Sequence, residues 1–326
     1  MRLVTFELAD GVARVGSLLA DGRVLDLAHA APRAPEFTSL LALIEAGPGA
    51  WDRARELTTQ APEASLHEPV ACRLRAPLPL PPQLRDFMCF EKHVIQAFGA
   101  AFRMKAMRAA TDDERAALLA QAEALRPPPV WYERPLYYKA NRFSVSGPGD
   151  TIRWPRYSRL MDYECELACI LGRTCVDVPR EQALKQVFGY TIFNDFSARD
   201  AQGAEMPGGL GPAKGKDFDG ANAFGPCIVT ADEIPDPHAL AMIVRVNGEE
   251  RSSGSSREMH WKFEDLIAYV SQGETLRPGE ILASGTVGDG CGLESLHFLE
   301  DGDVVELEIP PIGVLRNRVA RSGIPA

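Results

Sequence analysis

The run Asp162-Tyr163-Glu164-Cys165-Glu166-Leu167-Ala168-Cys169-Ile170-Leu171 leads two carboxylates directly into an apolar stretch. Alternate side chains of a strand share a face, so Glu164 and Glu166 project one way and Cys165 the other. Two acids at this spacing, taken alone, usually mark a solvated strand face. Here the strand continues into the core, and carboxylates carried there need a partner. The rest of the chain has to fold so as to supply one.

Two further acids are placed to join them. Asp86 sits in Arg85-Asp86-Phe87, and Asp195 follows the apolar stretch Val187-Phe188-Gly189-Tyr190-Thr191-Ile192-Phe193. Asp195 is expected where a strand ends, a common position for functional groups on a rigid scaffold. The plainer alternative for it is a turn or helix-capping aspartate, with Arg199 and Asp200 forming a structural ion pair. Four carboxylates gathered without a cation would repel, and some would take up protons. An all-oxygen set suits a hard ion such as Mg²⁺ or Ca²⁺ rather than zinc. His93, seven residues after Asp86, is the natural proton carrier near neutral pH, although a lone histidine is more often structural. Lys216 in Lys214-Gly215-Lys216-Asp217-Phe218 is ambiguous, because most lysines face solvent.

The 326 residues allow one large domain, or a large domain with a small one, and a core that needs no disulfides. A formal net charge of -10 argues against nucleic acid and against an anionic membrane surface as partners. No uncharged apolar run approaches the roughly 20 residues of a membrane helix, and the N-terminus lacks the features of a secretory signal. Seven cysteines without a CxxC pair read as free thiols in a reducing cytosol, so a cytoplasmic location is expected.

Short strands are expected over residues 1 to 30, with a hairpin at Asp21-Gly22, followed by a helix from about Ser39 to Gln60. The proline cluster at 77–82 reads as a connector, which sets a small N-terminal domain at 1–80 and a second domain at 81–326. Residues 98–130 read as a helical insert: Thr111 and Glu114 form a capping box, and Pro127-Pro128-Pro129 stop the helix. Its place after Asp86 and His93 suits a cover over the site, or a helix packed on the surface. From Trp131 onward short β-prone runs alternate with Gly- and Pro-rich turns, and helices are expected only near 180–187 and 263–272. That pattern is a β-rich α+β fold, not a Rossmann alternation.

Taken together, Asp86 through His93, Ser146-Gly147-Pro148-Gly149-Asp150, Tyr163 through Leu167, Asn194 through Gln202, Lys216-Asp217-Phe218, Ala283-Ser284-Gly285-Thr286 and Gly313 through Asn317 resemble the fumarylacetoacetate hydrolase superfamily. The resemblance covers about residues 80–320. It implies a mixed β-sandwich roll with a small N-terminal domain, usually assembled as a homodimer. It also implies Asp86, Glu164, Glu166 and Asp195 as ligands of Mg²⁺, with Ca²⁺ or Mn²⁺ as substitutes, and no organic cofactor. His93 matches the family's water-activating base and Glu294 the glutamate that orients it. Arg199, Gln202 and Lys216 match residues that meet developing negative charge, and Thr286 a substrate-contacting threonine. Lys139, in Tyr137-Tyr138-Lys139, is a candidate for a substrate carboxylate or an ordinary surface lysine.

The expected activity is Mg²⁺-dependent hydrolysis of a C–C bond in a β-diketone or acylpyruvate-type acid, a chemistry of aromatic compound catabolism. Decarboxylation, isomerisation or hydration of a 2-oxo acid on the same metal site is the alternative. Gln96 replaces the glutamate that many short acylpyruvate-cleaving relatives place three residues after the histidine. Met88 replaces the tyrosine of fumarylacetoacetate hydrolase itself. With the insert, these departures point away from fumarylacetoacetate as the substrate.

Overall fold

Seven strands form the centre of the main sheet: β1 (Arg2–Glu7), β2 (Leu84–Phe87), β3 (Tyr137–Lys139), β4 (Cys165–Leu171), β5 (Val187–Asp195), β6 (Asn222–Thr230) and β7 (Ile281–Ala283). In the computed structural model, which describes residues 1–321, they lie side by side in the order β1-β6-β5-β4-β7-β2-β3. The β7–β2 pair is parallel and the others are antiparallel. Short strands at 13–18, 24–26 and 66–67 extend this sheet beyond β1. A second, five-stranded sheet is built from segments 249–255, 241–246, 304–309, 313–321 and 151–154. The fold is thus a mixed α/β arrangement of open sheets, as expected for the class.

Strand alternation divides the interior in two. On β4, Cys165, Leu167, Cys169 and Leu171 pack toward the second sheet, against Met242, Val244, Leu307 and Leu315. Ala168 and Ile170 point the other way, into a core completed by Phe37, Leu40, Leu43 and Ile44 from the N-terminal segment. Glu164 and Glu166 share the parity of this second set. The main sheet is therefore covered on both faces, which explains why β4 and β5 are buried along their whole length.

The N-terminal segment is tied into the same sheet, since Arg2 and Leu3 of β1 pair with Val229 and Ile228 of β6. The helix expected over 39–60 is two helices, Leu40–Glu45 and Pro48–Gln60. Gly47, at φ +80°, and Pro48 break the run between them. The hairpin at Asn247-Gly248 forms with both residues at positive φ, as a two-residue turn requires.

The largest difference from expectation concerns the insert. Its first helix, α1, runs from Glu91 to Ala106 and so includes His93. A second helix, α2 (Asp112–Ala124), is capped by the Thr111 side chain accepting from Glu114 N, while Glu114 itself accepts from Ala110 N. The insert is therefore continuous with the catalytic histidine candidate and not separate from it. Two short helices, α3 (Arg199–Glu205) and α4 (Gly292–Ser295), complete the surroundings of the site.

Candidate active site

Three strands deliver the four carboxylates to one end of the main sheet. Asp86 lies on β2, Glu166 on β4 and Asp195 at the last position of β5, while Glu164 immediately precedes β4. Oxygens of Asp86, Glu164, Glu166 and Asp195 lie within 4.8 Å of one another, and all four residues are buried. Gly285 holds one of them in place: its N–H donates to Glu166 Oε2 at 3.0 Å. A side chain at Gly285 would bring Cβ within 2.2 Å of the Phe87 carbonyl, and its φ of +76° suits only glycine.

Two buried cations meet this cluster. Lys216 Nζ lies 2.7 Å from Glu164 Oε2 and 2.6 Å from Asp195 Oδ2. Arg199 lies 2.7 Å from Glu164 Oε1 and donates from Nε to Asp162 Oδ2 at 2.7 Å. Burial works against both charges, but the facing carboxylates outweigh it and push the Lys216 and Arg199 pKa values up, so both stay charged. Glu164 is lowered because Lys216 and Arg199 overcome the cost of its burial. Asp86 and Glu166 go the other way: burial, reinforced by the neighbouring carboxylates, drives them well above the usual carboxylate range. Asp195 is raised as well, chiefly by burial.

The hydrogen bonds leave a gap that a cation fits. Asp86 Oδ1, Glu166 Oε1 and Asp195 Oδ1 are buried without a hydrogen-bond partner. Three unpartnered oxygens from three carboxylates, inside one cluster, form the donor set of a hard divalent ion. Buried carboxylates left bare would be costly, so the residues present fit such an ion well.

Beside the cluster, His93 Nδ1 lies 3.0 Å from Glu294 Oε1, and Glu294 Oε2 accepts from Cys291 N at 3.1 Å. Burial and nearby carboxylates push the Cys291 thiol well up. Asp162 joins the two halves of the site. Besides Arg199, it accepts from Gly292 N at 2.7 Å and Leu293 N at 2.9 Å, fixing the start of the short helix that carries Glu294. Gly292 has no room for a Cβ, which would sit 2.5 Å from Asp162 Oδ1.

His93, Asp86, Glu164, Glu166, Arg199 and Lys216 border one cavity of about 640 Å³. Helix α1 forms one wall, with His93, Ala97, Ala100, Ala101 and Met104 along a single stripe at helical spacing. Gln202 and Thr286 also line the cavity, Gln202 accepting from Arg199 Nη1 at 2.9 Å and the Thr286 hydroxyl standing without a partner. Lys139 is not brought there. The register that sends the Tyr138 hydroxyl onto Asp195 Oδ2, at 2.8 Å, turns Lys139 to the other side of β3, exposed and 3.8 Å from Glu274. Arg199 and Asp200 do not pair with each other either; Asp200 accepts from Ser158 Oγ and Arg159 N. Sequence reasoning passed over Tyr138 and Asp162. Both stand beside residues it did single out, but neither carries a pattern that distinguishes it from ordinary strand residues.

Residues 109–320 match the family described as Fumarylacetoacetate (FAA) hydrolase C-terminal. The chain belongs to the fumarylacetoacetate hydrolase family. Oxaloacetate tautomerase YisK of Bacillus subtilis (strain 168) is 30% identical, covering 98% of this chain and all of that protein. The mitochondrial oxaloacetate tautomerase Fahd2a of Rattus norvegicus is 40% identical over 188 residues, which make up 57% of this chain and 59% of the rat protein. Among solved structures, a fumarylacetoacetate hydrolase from psychrophilic Exiguobacterium antarcticum aligns with a TM-score of 0.73 at 32% identity, over 99% of this chain and all of that one. The relatives it matches are named as enzymes, and the fold is that of the family.

Proposed function

We propose that this protein is a divalent-cation-dependent enzyme that interconverts the keto and enol forms of a 2-oxo acid. The observation that carries the reading is the His93–Glu294 pair, whose histidine borders the same cavity as Asp86, Glu164 and Glu166 of the four-carboxylate cluster. A cation held by Asp86, Glu164, Glu166 and Asp195, Mg²⁺ with Ca²⁺ or Mn²⁺ as substitutes, would supply positive charge for the oxygen that becomes negative as the substrate enolises. The chain's own side chains do the rest. With Glu294 as a carboxylate, His93 Nδ1 carries the proton and donates to Oε1, which leaves the Nε2 lone pair as the base. Nε2 takes a proton from the carbon beside the carbonyl, the C–H pair becomes the C=C bond, and the carbonyl π pair moves onto oxygen. The imidazolium, steadied by Glu294, then returns its proton to that oxygen, and the reverse sequence restores the ketone. Lys216 and Arg199 hold Glu164 in its ionised form throughout. Support also comes from the Bacillus subtilis and rat relatives, both named oxaloacetate tautomerases.

C–C hydrolysis of a β-diketone or acylpyruvate-type acid is the second reading, and the same pair favours it. A histidine held by a glutamate can take its proton from a water instead of from carbon. One experiment separates them: oxaloacetate, phenylpyruvate and an acylpyruvate are incubated in deuterated water with Mg²⁺ or with chelator, and the products weighed. The expected result is deuterium exchange at the carbon beside the carbonyl, with the skeleton intact, that outpaces a protein-free solution of the same metal content and falls to its rate when chelator is present. Two metal-dependent fragments would make the protein a hydrolase, and loss of carbon dioxide a decarboxylase. His93→Ala should slow the exchange about 10²–10⁴-fold. Absence of any metal-dependent change on all three substrates would refute the assignment.

A further inference from the structure

The cavity is larger and more apolar than a small diacid needs. Oxaloacetate has nine heavy atoms; at about 30 Å³ each, the share of a water molecule in the liquid, they fill at most about 270 Å³. The cavity measures about 640 Å³. Apolar side chains on its wall include Phe98 and Met104 on α1, Met206 and Pro207 after α3, and Leu293 and Phe298 around α4. Phe98 and Met206 are 39% and 48% exposed, large apolar side chains that folding alone leaves wet. They come from separate elements yet border the same space, which is how an apolar ligand surface is built.

The charges agree with this. The cationic side chains lining the cavity are Arg199 and Lys216, besides the titratable His93, and each of the three already faces a carboxylate: Asp162 and Glu164, Glu164 and Asp195, and Glu294 respectively. Asp200, the remaining ionic group on the wall, is itself an acid. Each cationic side chain on the described cavity wall is thus already matched by an acid, and burying a second substrate carboxylate unpaired is costly.

Building on the 2-oxo acid reading above, we propose that the substrate is a monoacid with an uncharged apolar tail. The 2-oxo acid head faces the carboxylate cluster and His93, and the tail lies against Phe98, Met104, Met206 and Phe298. Phe98 and Met206 are then the residues that set specificity, discriminating against diacids of the oxaloacetate type.

The test uses two 2-oxo acids that cannot enolise, so that it reads binding without turnover. Phenylglyoxylate carries an aryl tail and ketomalonate a second carboxylate. Calorimetric titration of the Mg²⁺-loaded protein should show phenylglyoxylate binding at least tenfold more tightly. Phe98→Lys and Met206→Lys, both at exposed positions, should each shift that ratio toward ketomalonate by at least tenfold. Equal or tighter ketomalonate binding, binding of neither acid, or a ratio unmoved by both variants would overturn the proposal. Deuterium exchange on oxaloacetate in the face of such a result would leave the tautomerase reading standing and sink only the tail assignment. Selective phenylglyoxylate binding without exchange on any substrate would do the reverse.

Discussion

Removing the cation should loosen the whole protein by an amount that can be worked out beforehand. Five buried carboxylates, Asp86, Asp162, Glu164, Glu166 and Asp195, face only Lys216 and Arg199 in the site. Fully ionised, they leave three negative charges uncompensated, and a divalent ion reduces that to one. An ion that binds only the folded state adds about 2.7 kcal/mol at a hundredfold excess over its dissociation constant. Unfolding entropy of about 2.1 cal/mol/K per residue, over 326 residues, amounts to about 0.7 kcal/mol/K. The melting temperature should therefore rise by about 4 °C at that excess of Mg²⁺ or Mn²⁺ over protein kept in chelator.

The pH dependence has a definite sign. Asp86 and Glu166 are raised in the folded, metal-free protein by burial and by neighbouring carboxylates, so the folded state holds protons that the unfolded chain releases. The metal-free protein thus loses stability as pH rises above the ordinary carboxylate range, near 4. Binding an ion displaces those protons, so the metal-induced shift should grow from pH 5 to pH 8. Differential scanning fluorimetry across that range, with and without metal, reads both effects. Glu166→Gln should remove most of the shift. A shift that is absent at pH 8, that shrinks as pH rises, or that survives unchanged in Glu166→Gln would refute the reasoning.

Three other outcomes are expected. Phe193, fully buried and stacked on Phe224 with ring centroids 4.4 Å apart, should cost about 3–5 kcal/mol when replaced by alanine; a urea midpoint within experimental error of the parent would contradict that. Tyr138→Phe removes a buried hydrogen bond to Asp195 Oδ2 and should cost about 1.5–3 kcal/mol in chelator-treated protein, read by the same denaturation assay. Burial pushes the Cys165 thiol up to about 12, and Cys89, Cys169, Cys227 and Cys291 are buried and raised too. A disulfide reagent at pH 8 should therefore label at most the half-buried Cys72 and Cys175 in native protein, and labelling of more than two thiols before unfolding would show the core to be open.

Much of this protein is local and therefore readable from its chain. The alternation through Glu164, Glu166, Ala168 and Ile170 already places both glutamates on one face, because a strand's period of two is a property of the backbone. The turn at Asn247-Gly248 and the Thr111 cap of α2 are likewise written in a few adjacent residues, and the structure forms both. The acids at 86 and 195 carry a weaker mark, a carboxylate set against a hydrophobic run.

Tertiary structure decided what depends on partners far away in sequence. Lys139 and Tyr138 are equally plausible on paper; only the pairing of β3 with β2 determines that the tyrosine meets Asp195 and the lysine faces Glu274. Asp162 becomes the link between Arg199 and the helix bearing Glu294 only once segments some 130 residues apart are packed together. The true start of α1, which makes His93 and the apolar wall one rigid unit, was hidden because no capping side chain announces it. The cavity itself belongs to no segment. A strand's face follows from its own bonds, but an enclosed volume exists only between elements, so its size could be read only after the chain had folded.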